Sequence, residues 1–200
     1  MSALLSASGP LAVLIGTDGT AERSRDERRA HGRVLVAEAV GTLLGADPAS
    51  VTVTARCARC GGDHGRPLVS VGGRRHPVWA SVSHAGGVTV AAASDRRMGV
   101  DAEPVAGRTG RFDAIRALAG PWAADATDGP DALRAWTIVE AVLKADGRGL
   151  EIEPGRVLLD GRPGRAGAIA SVDGSGPVYA VSSAVVDGLV VSTATELVAG

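Results

Sequence analysis

The sequence predicts an α+β protein of two similar halves, each a helix packed on a small, mostly antiparallel sheet. Three observations carry that expectation. Two segments, Glu27–Asp47 and Gly129–Gly147, place apolar residues at helical spacing and meet a glycine stop near their ends. Short alternating or apolar runs, separated by turn residues, surround them. The run VSHAGGVTVAAAS from Val82 is echoed by VSSAVVDGLVVSTAT from Val181: V-S-x-A, then glycine, then an alternating strand. The expected division is 1–103 and 104–200.

In chain order, PLAVLIG (Pro10–Gly16) reads as a buried first strand, and Glu27–Asp47 as a helix stopped at Gly45. SVTVTAR alternates Val with Thr and reads as a strand. His76–Ser94 holds two apolar runs split by HAGG, a hairpin. RMGVDAE is a short strand ended by Pro104, and GRFDAIRALAG a short helix. Gly129–Gly147 is the strongest helix, with Asp131 as the expected N-cap after Pro130. Four strands close the chain: GRVLLDG, GAIASV, PVYAVSSAVV and GLVVSTAT. Aromatic residues make up only 2% of a chain that is 45% hydrophobic, so the core must be built from Ala, Val and Leu.

A net charge of −1 over 200 residues excludes a nucleic-acid binder acting through bulk charge. No apolar run approaches the roughly 18 residues of a membrane helix. PLAVLIG also lacks the basic flank of a signal peptide, so a cytoplasmic protein is expected. The arginine-rich stretch Ala21–Arg33 reads either as a solvated helix start or as a site for phosphate or an acidic partner, through Arg23, Arg25 and Arg28. Cys57 and Cys60 in CARCGGDHG read as two reduced thiols in a turn. Zinc is the lesser reading, because His64 offers a third ligand and no fourth lies nearby in sequence.

The chemistry gathers elsewhere. Lys144 is the only lysine of the chain, four residues after Glu140. On a helix the two lie about 40° apart. Leu133, Trp136, Ile138, Val139, Val142 and Leu143 make that helix apolar nearly all round, so Glu140 needs a partner. The plain alternative is an exposed (i, i+4) ion pair. In GVDAEP, Asp101 and Glu103 fall on one face of a strand, as two exposed edge acids or as hard oxygen ligands for Mg²⁺. In SVSHAGG, Ser83 and His84 read as turn residues or as donors to phosphate.

GVDAEP and, 39 positions from Asp101 to Glu140, WTIVEAVLK together resemble the signature of the surfactin-type 4′-phosphopantetheinyl transferases. HGRP, SVSHAGG and the helix HGRVLVAEAVGTLLG resemble further segments of that family in the same order, so the resemblance spans roughly Arg23 to Tyr179. It implies two similar halves in a pseudo-two-fold arrangement. It also implies Mg²⁺-dependent transfer (Mn²⁺ as a substitute) of phosphopantetheine from coenzyme A to a serine of an acyl, peptidyl or polyketide carrier protein, releasing adenosine 3′,5′-bisphosphate. Asp101, Glu103 and Glu140 would hold the metal. Glu140 would be the general base and Lys144 would contact the pyrophosphate. Arg33, Arg66, Ser83 and His84 would grip the coenzyme A phosphates. No nucleic acid or membrane is implied, and a monomer is expected. Val139 stands where the family carries lysine, and Arg66 where it carries lysine in H-G-K-P. The runner-up is therefore a relative that binds coenzyme A or a carrier protein without efficient transfer. A third reading is an unrelated Mg²⁺-dependent phosphate-ester enzyme. Phe112 and Trp122, between the motif blocks, read as core residues rather than partner contacts.

Overall fold

A computed structural model describes residues 11–17, 24–57, 59–106, 115, 129–161 and 167–198. The described residues form a mixed α+β structure with two long helices and three antiparallel sheets. The chain divides into two compact units, Met1–Arg97 and Met98–Gly200. The expected division after residue 103 therefore moves upstream. Strand β7 (Met98–Pro104) pairs along its length with the last strand, β11 (Leu189–Glu196), so it belongs wholly to the second unit.

In the first unit, β1 (Leu11–Thr17), β6 (Val88–Ser94) and β5 (Trp79–Ala85) form one sheet in that order. A second sheet runs β2 (Val51–Ala55), β3 (Pro67–Val71) and β4 (Arg74–Arg75). Helix α1 (Arg25–Leu44) packs on β1, β5 and β6. It begins two residues before the expected start because Ser24 and Glu27 close a capping box. The Glu27 N–H donates to Ser24 Oγ, and the Ser24 N–H donates to Glu27 Oε2 at 2.7 Å. Gly45 ends it in the left-handed conformation at φ 64°, as expected. Leu35, Val36, Ala39 and Val40 meet Ala80, Ala91 and Ala93 in the core. The small side chains of the sheet let helix and strands approach closely.

In the second unit, one sheet runs β7, β11, β10 (Ser175–Val186), β9 (Ile169–Val172) and β8 (Val157–Asp160). Helix α2 (Gly129–Asp146) packs on β7, β10 and β11. Ile138, Val139, Val142, Leu143 and Tyr179 are fully buried there. Asp131 is not the N-cap. The helix starts at Gly129, and Asp131 lies in its first turn, paired with Arg134 at 2.8 Å. The short helix expected over 110–120 lies outside the described residues except for helical Ile115, and so do Arg23, Phe112 and Trp122.

The echo between Val82 and Val181 is a repeated hairpin. Strands β5 and β6 turn through Gly86 and Gly87 (φ 56° and 80°). Strands β10 and β11 turn through Asp187 and Gly188 (φ 49° and 75°). Two residues at positive φ are what a two-residue hairpin turn between twisted strands requires.

Candidate active site

Gly99, Asp101 and Glu103 alternate along β7, so all three side-chain positions share one face. That face meets α2. A Cβ built on Gly99 would lie 2.0 Å from the Ala141 carbonyl oxygen and 2.9 Å from Lys144 Cβ. The bare glycine lets the helix backbone press against the strand, which brings Lys144 within reach of β7. Lys144 Nζ donates to Asp101 Oδ1 at 2.7 Å and to the Val100 carbonyl at 3.1 Å. The Asp101 side chain is only 8% exposed and that of Lys144 29% exposed. Both belong to the second unit.

Glu140 lies one turn before Lys144 on α2. Burial, and then the field of the Asp101 carboxylate, push its carboxyl up to about 7, with Glu103 adding to the rise and Lys144 opposing it. Asp101, Glu103, Glu140 and Lys144 thus share one electrostatic site. The three carboxylates are not drawn into a tight cage: among the described residues, the three metal-ligating groups that lie within 4.8 Å of one another are Cys57, Cys60 and His64. One turn further back on α2, Thr137 donates to the Leu133 carbonyl at 2.9 Å, and its hydroxyl lies 2.7 Å from that of Ser192. Ser192 faces Asp101 across the β7–β11 ladder, and its hydroxyl lies 2.9 Å from that of Ser183. This buried hydroxyl chain ties α2 to β11 beside the acid pair. Its sequence signal is the threonine after Trp136.

In the first unit, Arg33 and His84 line one cleft of about 240 Å³, with Arg29, Gly32, Asp63 and His64. A Cβ on Gly32 would come within 3.3 Å of the His84 ring, so this glycine makes room for the imidazole against α1. His84 Nδ1 lies 2.9 Å from Thr89 Oγ1 on the paired strand, which orients the ring. Arg33 is held by Asp63 in a two-pronged pair, with Nη2 at 2.6 Å from Oδ2 and Nη1 at 3.1 Å. The Arg66 guanidinium stands 3.5 Å above the Trp79 ring, and Arg97 approaches the same ring at 5.2 Å. Ser83 does not join His84. Neighbouring strand residues face opposite ways, and Ser83 is buried outside the cleft that His84 and Val82 line. Gly32, Thr89 and Asp63 are the site neighbours that the sequence reading missed.

Among the described residues, no helix is long and apolar enough to cross a membrane. The chain matches no protein-family model and no curated protein.

Proposed function

We propose that this protein is a 4′-phosphopantetheinyl transferase of the surfactin type. It would move the phosphopantetheine arm of coenzyme A onto a serine of an acyl, peptidyl or polyketide carrier protein. The observation that carries the reading is the pairing of Lys144, the chain's only lysine, with Asp101 at 2.7 Å, one helical turn from Glu140. Phosphoryl transfer asks mainly for positioned opposite charges, and this site holds an acid cluster and one compact cation on two rigid elements.

In this reading Glu140 takes the proton of the carrier serine. In the metal-free protein, burial and the neighbouring carboxylates raise its affinity for a proton, which is the direction a general base needs. The serine oxygen bonds to the phosphopantetheinyl phosphorus as the pyrophosphate bridge breaks, and adenosine 3′,5′-bisphosphate leaves with the bond's electron pair. Lys144 steadies the charge that gathers on the leaving phosphate. Asp101, Glu103 and Glu140 would hold Mg²⁺ or Mn²⁺, which supplies charge neutralisation on the pyrophosphate. The donor set fits, being all carboxylate oxygen, and the crowding of negative charge that raises Glu140 is what a divalent cation relieves. Asp101 Oδ1 accepts from Lys144, so the ammonium passes from Asp101 to substrate phosphate as the site fills.

Arg33 and His84 would grip the coenzyme A phosphates from their shared cleft, with Arg33 exchanging Asp63 for phosphate. Arg66 offers the edge of its guanidinium while its face rests on Trp79. Ser83 drops out of the grip. The repeated hairpin supports the pseudo-two-fold relation of two α+β halves that this family reading carries with it.

The test is intact-mass spectrometry of an apo carrier protein incubated with this protein, coenzyme A and Mg²⁺. A gain of one phosphopantetheine that vanishes with EDTA supports the reading. No gain across fatty-acid, polyketide and peptide carriers overturns it.

A further inference from the structure

We infer that Cys57, Cys60 and His64 form a zinc site. The segment from Arg56 to Arg66 links β2 to β3, and the ladder pair Ala55–Pro67 closes its base. Arg56, Arg59, Cys60, Gly61, Asp63, His64 and Gly65 are all exposed, so little apolar burial is there to offset the entropy of ordering them. The segment's described residues are nevertheless hydrogen-bonded to one another. The Cys57 N–H donates to the Gly62 carbonyl at 2.9 Å, and the Gly61 N–H donates to the Cys57 carbonyl at 2.9 Å. The His64 N–H donates back to the Gly62 carbonyl at 2.8 Å.

This fold points three soft or borderline ligands at one spot. The two sulfurs and one imidazole nitrogen lie within 4.8 Å of one another. Cys60 Sγ is 2.9 Å from His64 Nε2. A tetrahedral zinc with bonds of about 2.3 Å to sulfur and about 2.0 Å to nitrogen spaces such a pair about 3.5 Å apart, so the ring and thiol need only part slightly. The Gly62 N–H donates to Cys60 Sγ at 3.4 Å and holds that sulfur beside the His64 ring. A Cβ on Gly62 would lie 3.2 Å from both Cys60 Sγ and the His64 ring, so a side chain there would crowd both ligands. Gly65, at φ 107°, turns the chain out of the site in a conformation that only glycine adopts easily. Two thiolates and an imidazole select zinc over the hard cations. Binding displaces the thiol protons, and His64 gives its Nε2 lone pair while keeping its proton on Nδ1. Asp63 is engaged with Arg33, which leaves water as the fourth ligand.

A zinc here staples the segment that carries Asp63 and Arg66. In the transferase reading it would thereby set the phosphate grip, and this last clause alone rests on that reading.

The test uses the reduced full-length chain, stripped with chelator and titrated with Zn²⁺ or Co²⁺ without coenzyme A. Native mass spectrometry should show one zinc per chain. Co²⁺ should give a sulfur-to-metal charge-transfer band and tetrahedral visible bands. Cys60→Ser and His64→Ala should each weaken zinc binding by tenfold or more with circular dichroism unchanged, and Asp101→Asn should leave it intact. Zinc uptake that Cys60→Ser does not weaken, or no uptake by fully reduced protein, overturns the inference. Zinc bound as expected in a protein without transferase activity would sink the functional reading and leave the metal site standing.

Discussion

Lys144 Nζ bridges Asp101 Oδ1 and the Val100 carbonyl, joining α2 to β7 by one ammonium that satisfies two adjacent residues of the strand. A compact tetrahedral head with three donors makes both bonds from one position, whereas a planar guanidinium on a longer arm does not. Lys144→Met leaves a nearly buried carboxylate without its cation. Because Lys144 is partly exposed, the expected loss is about 1–3 kcal/mol in urea unfolding rather than the full cost of a buried charge. Lys144→Arg should retain most of the stability and lose at least tenfold in transfer rate. Equal rates for arginine and lysine would show that only the charge matters.

Glu140 gives the pH dependence its sign. Its carboxyl stands at about 7 in the folded protein against an ordinary value of 4.5. The folded state therefore holds the proton more tightly than the unfolded chain. The stability this contributes is full below about pH 4.5 and is lost as pH rises through about 7. Glu140→Gln keeps the shape without the charge. Its melting temperature should exceed that of the unmutated protein at pH 8, and the difference should close towards pH 4.5. Mg²⁺ should raise the melting temperature of the unmutated protein more at pH 8 than at pH 5.5, and should do little for Glu140→Gln, in which transfer should be abolished. A Glu140→Gln protein of wild-type activity would remove Glu140 from the mechanism.

Gly99→Ala tests why the acid pair has a glycine before it. The added methyl would meet the Ala141 carbonyl at 2.0 Å and the Ala145 nitrogen at 2.7 Å, both helix backbone. Neither can swing aside, so α2 must lift from β7, at an expected cost of about 3 kcal/mol. The lift also draws Lys144 from Asp101, so thermal denaturation and transfer should suffer together. A protein that tolerates alanine here would show that the helix does not depend on this close approach.

The parts of this architecture that follow a period were legible from the sequence. The alternation of Asp101 with Glu103 and the apolar girdle of α2 both stand in the structure, because side-chain direction follows directly from helix and strand geometry. The same rule separates Ser83 from His84, which read as residues of a turn but lie next to each other on β5 and so face opposite ways. The hairpin β3–β4 went unread although PLVSVGGRR carries two glycines after an alternating run. Gly32 beside His84, and Asp63 on Arg33, join residues far apart in sequence. No local pattern encodes such contacts. The clustering of Cys57, Cys60 and His64 depends on how a glycine-rich turn closes, and spacing alone left that undecided.

Val139 stands where the family pattern carries lysine, and its complete burial argues against restoring that charge. Read against the family pattern, valine before the helix glutamate is a missing positive charge, and restoring lysine should be harmless or helpful. In the structure Val139 is fully buried with Ile138, Val142, Leu143 and Tyr179. It points about 100° away from Glu140 around the helix. Val139→Lys would force an ammonium into an apolar cluster or force the lysine to give up its proton. The expected cost is about 3–5 kcal/mol in urea unfolding, with transfer lost through instability. Val139→Met controls for size and should cost about 1–3 kcal/mol as overpacking. If Val139→Lys unfolds at the same urea concentration as Val139→Met, this face of α2 opens to water, and the missing charge again becomes the explanation for any weakness in transfer.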